Sequence, residues 1–346
     1  MRRDSLRIAI GKDSSSWCDR FAQALELKIK QGYRVSYEVM NLGTRDWLNR
    51  LSGIDVVIWN PMVMGPKAAL HYKEKVYFME KHLNKVVVPN YATVWHFESK
   101  VAQSYIFEKY EIPTPHTSVS PDYRDATEAL RQMKPPFIFK FSHGASGKYV
   151  VMVKDQSKAL RKLSEICCHQ LWREARQRGG SRFKFLLSHL NKPWFWPTIL
   201  SRLRSEEWFN VAYIQEFIPG NDKDLRITAI GNRYAFGFWR KNRPNDFRAS
   251  GSGVIDYQLP IPEAPLRYCL GINQRLGLDT MAYDVIFRNG AFVILEMSYT
   301  YLDSAVYDCD GHYVLQDDGE LKYEKKHTWP QELWVEWALH RAEAEL

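Results

Sequence analysis

Two apolar runs toward the C-terminal end, Ala282–Arg288 and Ala291–Ser298, flank Asn289-Gly290, and each run contains one acid, Asp284 and Glu296. Asn-Gly between strand-like runs is a strong short-range signal for a β-hairpin. The ribbon therefore carries carboxylates in an apolar setting. A carboxylate there is costly unless it is paired or binds a cation. A two-residue turn would set the two acids on opposite faces, because the side-chain period is two. A three-residue loop, Arg288-Asn289-Gly290 with glycine left-handed, sets Asp284, Glu296 and Ser298 on one face. The carboxylates would then lie roughly 7–8 Å apart at Cβ as diagonal neighbours. That arrangement suits magnesium, which takes carboxylate together with phosphate oxygens. Solvent-facing acids are the alternative, weakened by the apolar stretch Phe292–Leu295 that precedes Glu296.

The first 95 residues alternate strand and helix signals. Strands are predicted at Leu6–Ile10, Tyr33–Met40, Ile54–Trp59 and Val86–Val88. Helical patterns run through Phe21, Leu25 and Leu27 and again over Trp47–Leu51. Such alternation implies a parallel sheet. No GxGxxG occurs, so this is not a dinucleotide site. Helices follow over Phe97–Tyr110 and Arg124–Met133, then the strand pair Phe137–Phe141 and Tyr149–Val153 around a small-residue loop, then a long helix from Asp155. Strands return at Val211–Ile218, Asp224–Ile230, Arg233–Arg240 and Gly253–Tyr257, with a helix over Ala264–Leu276. The tail from Asp303 reads as polar until an amphipathic helix over Pro330–Leu346.

Three further segments carry chemistry. In FKFSHGASGKYVVMV, the loop residues Ser142, Gly144, Ser146 and Gly147 leave backbone N–H groups open to phosphates. Lys140, inside an apolar strand, needs an anionic partner. The loop is not a Walker A motif. In YIQEFIPGNDKDLRI, backbone around Glu216 and Phe217 can meet an adenine edge, with Asp224 positioned for a ribose hydroxyl. In FWRKNRPNDFRASGSG, Arg240 and Arg248 offer rigid forks to phosphoryl oxygens.

The net charge of +8 and pI near 9.1 favour anionic partners. The basic residues are dispersed and no zinc-finger or RNA-binding motif occurs, so nucleic acid is not expected. One basic, aromatic stretch stands out, residues 173–204 with Trp194-Phe195-Trp196; it reads as an insertion or lid and as a candidate contact with a membrane surface. The cysteines Cys18, Cys167, Cys168, Cys269 and Cys309 are odd in number and lack framework spacing, as expected of reduced thiols in a cytoplasmic protein. The N-terminal MRRDSLRIAIGKD reads as a first strand rather than a signal peptide.

Taken in order from Pro89 to Tyr301, these pieces resemble the ATP-grasp superfamily, most closely its RimK-like carboxylate–amine ligases. VPNYATVWHFESK resembles the helix carrying the family's first ATP-contacting lysine, which falls on Lys100. The resemblance gives Lys140 as the second lysine, Ser142–Lys148 as the flexible glycine loop, Glu216 and Phe217 as the adenine hinge, and Asp224 as the acid near the ribose. NDFRASGSG resembles the family's DFRSN segment, so Arg248, Ala249 and Ser250 would sit by the phosphates. Arg240 would stabilise the transferring phosphoryl, with Lys140 and Arg248 beside it in catalysis. Asp284, Glu296 and Ser298 would hold magnesium or manganese.

The resemblance implies a fold that is α/β and α+β: a Rossmann-like domain over 1–95, a central subdomain over 96–210 with the insertion at 173–209, and a C-terminal subdomain over 211–346. The implied activity is ATP-dependent joining of a carboxylate to an amine, small-molecule or peptide, through an acyl-phosphate. Three departures stand out. The metal motif ends Glu296-Met297-Ser298 where the family has Glu-x-Asn. His143, a candidate base, and Lys148 occupy loop positions that are usually small. The stretch between loop and hinge is long. A non-catalytic ATP-binding protein of the same fold is the alternative that Ser298 raises.

Overall fold

The computed structural model describes residues 5–12, 16–61, 66–97, 99–140, 150–163 and 211–346. They form two compact units, one of residues 1–97, 221–286 and 294–346, the other of 98–220 with 287–293.

The first unit opens with strands β1 (Leu6–Gly11), β2 (Val35–Met40), β3 (Val56–Ile58) and β4 (Val86–Val88), all parallel in the order β2-β1-β3-β4. Parallel neighbours need crossovers, and helices supply them. The helix Trp17–Lys30 buries Trp17, Phe21 and Leu25. The helix Pro66–Leu83 was not expected from the sequence. Its signal was present: Ala69, Tyr72, Val76 and Met79 recur at helical spacing and are all buried, but lysines and glutamates between them dilute the pattern.

The second unit holds a four-stranded antiparallel sheet of β5 (Thr117–Ser120), β6 (Phe137–Lys140), β7 (Val150–Val153) and β8 (Ala212–Glu216), ordered β5-β8-β6-β7. Its core is Phe137, Phe139, Ala212 and Ile214 against Ala126, Leu130 and Leu163. Strand β8 pairs with β5 and β6, so the unit runs on to Gly220, past the boundary expected at 210–211. Pairing across about a hundred residues leaves no local trace in the chain. The glycine loop 142–148, Cys167, Cys168 and the 173–209 insertion lie outside the described residues.

The first unit's second sheet is formed by β9 (Lys223–Ile230), β10 (Tyr234–Lys241), β11 (Ile255–Asp256), β12 (Thr280–Arg288), β13 (Ala291–Ser298), β14 (His312–Leu315) and β15 (Leu321–Glu324). Its order is β13-β12-β9-β10-β14-β15, with β11 on β10. The hairpin β14–β15 sits in the tail that reads as polar: β15 is mostly polar and exposed, while β14 alternates buried and half-buried residues over only four positions. The helix Glu263–Leu276 covers one face and ends at left-handed Gly277. Asn273 on that helix donates to the Gly231 carbonyl and accepts from the Tyr283 hydroxyl, satisfying a buried amide.

The final helix, Pro330–Glu345, packs into a core shared by both sheets of this unit, with Trp334 fully buried beside Trp17, Phe21 and Tyr301. It is buried on most of its circumference, so it is a core helix and not an amphipathic surface one. Asp279 fastens it. Its carboxylate accepts from the Asn90 N–H at 2.6 Å, Trp337 Nε1 at 2.7 Å and Arg341 at 2.9 Å, while its own N–H donates to Thr93 Oγ1. Among the described residues no helix is long and apolar enough to cross a membrane, and Cys18, Cys269 and Cys309 are buried and form no disulfide.

Candidate active site

Of the two turn lengths that the sequence allows, the Asp284 hairpin takes the shorter. The connection is two residues, Asn289 and Gly290, both with positive φ (50° and 83°). That is the geometry that follows strand twist, which Asn-Gly tolerates. An unbroken ladder would then place Asp284 and Glu296 on opposite faces. Burial along β13 does not alternate, however: Val293 and Ile294 are both buried, while Leu295 and Glu296 are both half-buried. Arg226 feels the charges of both Asp284 and Glu296.

Register builds the rest. On β9, Asp224 and Arg226 are two apart and share a face. Arg240 of β10 stands opposite Asp224, and Asp284 of β12 stands opposite Arg226. Acid and base thus alternate on one face of three adjacent strands. Arg240 forks onto Asp224, Nε and Nη2 donating at 2.8 and 2.6 Å, and Nη2 also reaches Asp284 Oδ2 at 2.9 Å. Arg226 Nε lies 2.7 Å from Asp284 Oδ1. The four side chains are only 8–15% exposed.

Burial shapes their titration. It raises the Asp224 pKa, and the neighbouring Asp284 charge adds to this, with Arg240 opposing. It lowers that of Arg226, against the pull of Asp284. Burial also works against the Arg240 charge, but Asp284 and Asp224 outweigh it and hold Arg240 above the ordinary arginine value. Arg240 is therefore a permanent cation held in a fixed plane.

The structure thus brings Asp224, Arg240 and Asp284 together. Both Asp224 oxygens are engaged by Arg240, so Asp224 holds that arginine instead of turning out to a ribose. Arg226, which sequence reasoning passed over, was signalled by its place two residues from Asp224 in Asp224-Leu225-Arg226. The loop after β10 is braced by Arg243, whose N–H donates to the Arg248 carbonyl and whose guanidinium donates to the Ser250 carbonyl at 3.0 Å. Arg248 pairs with Asp246 at 2.6 Å, which holds the Asp246 carboxyl below its usual range. Ala249 is buried. Ser298 Oγ lies 3.1 Å from both the carbonyl and the hydroxyl of Thr300.

In the other unit, Lys100 opens the helix Lys100–Lys109, whose cap Ser99 accepts from the Ala102 N–H at 3.2 Å. Lys140 ends β6 opposite Tyr213, its Nζ 5.6 Å from that ring's centre, and is buried like Lys100. The Glu216 carboxylate pairs with Arg288 at 2.6 Å, and the ladder stops there, so Phe217 lies beyond the strand. Ser142, Gly144, Ser146, Gly147 and His143 fall outside the described residues.

Asp284 and Glu296 supply the hard oxygen donors that magnesium takes, and one or two carboxylates completed by phosphate oxygens are its usual protein share. Among the described residues no group of three or more His, Cys, Asp or Glu could cage a metal without such help. The donor set fits magnesium in company with a nucleotide.

No protein-family model matches the chain. Alpha-aminoadipate–LysW ligase LysX of Saccharolobus solfataricus is 21% identical over 259 residues, covering 74% of this chain and 81% of that one. A RimK-domain ATP-grasp protein from Sphaerobacter thermophilus superposes with a TM-score of 0.51 at 14% identity, over 86% of this chain and 93% of its own. The ATP-grasp ligase PsnB, solved with minimal precursor, Mg and ADP, superposes with a TM-score of 0.56 at 10% identity, over 97% and 98%. The chain has the ATP-grasp fold. Its likeness includes the RimK-like kind, as the sequence resemblance implied. The arginine–carboxylate face of β9, β10 and β12 is thus a charged cluster within the ATP-grasp fold.

Proposed function

We propose that this chain is an ATP-dependent carboxylate–amine ligase acting through an acyl-phosphate. The observation that carries this is the alternating cluster Asp224–Arg240–Asp284–Arg226, buried on one sheet face of an ATP-grasp fold. Phosphoryl transfer leaves little covalent work to a protein; positioning and charge stabilisation dominate. A guanidinium whose plane is fixed by two carboxylates is prepared for both, since it needs no reorganisation when charge develops.

In this reading a substrate carboxylate attacks the γ-phosphorus of ATP and ADP leaves. The amine then attacks the acyl carbon, the C–N bond forms, and the C–O bond to phosphate breaks. The amine's proton passes to a base, for which His143 is the candidate. Arg240, Lys140 and Arg248 hold the phosphoryl oxygens, with the Ser142–Gly147 loop amides covering the phosphates. Lys100 holds the nucleotide, and backbone at Glu216 and Phe217 takes the adenine edge; the Glu216 side chain, occupied by Arg288, leaves that to the main chain. Asp284 and Glu296 would hold magnesium, with Ser298 at the margin; the ion supplies charge neutralisation between phosphate groups. The stretch 1–95 and the 173–209 insertion would carry substrate choice, either a small molecule or a peptide.

The test is ADP release from Mg-ATP across a panel of carboxylates and amines, with hydroxylamine added to trap the acyl-phosphate as a hydroxamate. Carboxylate-dependent ADP and hydroxamate are expected. Nucleotide binding without either product, across the whole panel, would instead favour a non-catalytic ATP-binding protein. The engagement of Ser298 by Thr300 is the one feature that favours this second reading.

A further inference from the structure

We infer that Arg226 is a positioning residue that makes cation binding at Asp284 and Glu296 conditional on nucleotide. The inference rests on the proposed cation site and goes beyond it by assigning a role to a residue that touches neither substrate nor metal.

Arg226 stands across the ladder from Asp284, with Nε 2.7 Å from Oδ1, and Arg240 takes Oδ2 at 2.9 Å. Both oxygens of the principal cation ligand are therefore covered by guanidinium groups. Asp224 and Asp284 alternate with Arg226 and Arg240 on this face, and Arg226 also feels the charge of Glu296. A bare divalent ion entering here would meet two fixed cations, and magnesium gives up its water reluctantly. Among the described residues no group of three or more acids, histidines or cysteines forms a metal cage.

The phosphate chain of a nucleotide, ADP included, changes this balance. Its oxygens match the Arg240 fork as well as a carboxylate does, so Arg240 can exchange Asp284 for phosphate while Asp224 keeps it in plane. Oδ2 of Asp284 is then released toward the cation. Arg226 is covered from above by no phosphate in this scheme and stays on Oδ1, which fixes the direction in which Asp284 points. Cation and nucleotide thus bind as one event, and the pair of arginines guards against a misplaced bare ion.

The experiment measures Mn²⁺ binding to the intact chain by loss of the free-ion EPR signal, without carboxylate or amine, in the presence and absence of ADP. The association of Mn²⁺ with ADP in solution is subtracted. In the wild type, ADP should raise Mn²⁺ affinity at least about tenfold. Arg226→Gln removes one guarding charge. It should bind bare Mn²⁺ at least about tenfold more tightly than the wild type, with a correspondingly smaller ADP enhancement. Arg226→Lys, which keeps the charge, should restore the wild-type pattern. If Arg226→Gln fails to fold by thermal unfolding, the wild-type comparison and the lysine variant decide. Equal Mn²⁺ affinity with and without ADP in the wild type overturns the inference and leaves the cation site standing, as does a folded Arg226→Gln that matches the wild type. No Mn²⁺ in any arm removes the cation site itself, and the inference with it.

Discussion

Two buried arginine–carboxylate clusters in the same unit are built to opposite ends. At Asp279 a single acid, 1% exposed, receives Asn90, Trp337 and Arg341, so its lone pairs are met from three directions. At Asp284 two arginines and two acids share a face on three adjacent strands, and these four side chains keep 8–15% exposure. The first is closed: burial raises the Asp279 pKa, Arg341 and Trp337 oppose it, and little remains for a ligand to change. The second is an arrangement whose pairings a phosphate can exchange. Saturated partners mark a structural tie, and exchangeable ones mark a site.

That contrast is testable, beginning with the closed cluster. Asp279→Ala strands Arg341 and should cost about 3–5 kcal/mol of unfolding free energy, read from denaturant melts, while activity per folded molecule is retained. In the open cluster the effect should appear in the chemistry. Arg240→Lys keeps a cation against Asp224 and Asp284 but loses the fork; it is expected to lower kcat by roughly 10²–10³ with a much smaller change in melting temperature. Equal losses of stability from these two variants would erase the distinction.

Glu80 sharpens the comparison from beside the closed cluster. Burial pushes its carboxyl up to about 7 from 4.5, against the Tyr91 N–H and Arg341. An acid with a raised folded pKa adds stability below its unfolded pKa, and that contribution is lost as pH rises through the folded one. The wild type should therefore lose up to about 3 kcal/mol between pH 4.5 and 7 from this group. Glu80→Gln should remove that slope, so its advantage grows over this window and then levels off. The smallest effect belongs to Arg288→Ala. Its pair with Glu216 is about 40% exposed, and removal should change stability by less than about 1 kcal/mol. ATP KM should barely move if main chain, rather than the Glu216 side chain, meets the adenine.

Much of the site was legible where local chemistry decides. Asn289-Gly290 demanded a hairpin and two acids in apolar runs demanded partners, but the residues allow two turn lengths, and the structure takes the shorter, with positive φ at both. Asp224 was read for a ribose because the chain does not announce that Arg240 will stand opposite it. The helix Pro66–Leu83 was missed because charged residues diluted its pattern.

By itself the sequence determined most of the strands along the chain, though not β5, β14 or β15, the parallel character of the N-terminal sheet, and which polar residues could not be buried alone. Those follow from side-chain period, turn chemistry and desolvation, all properties of short segments. Tertiary structure alone decided that Asp224, Arg226, Arg240 and Asp284 form one alternating face, that β8 joins β5 and β6, and that Pro330–Glu345 lies in a core common to two sheets. These depend on register between strands far apart in the chain. Register is fixed by the total burial and pairing of the folded state, which no local stretch contains.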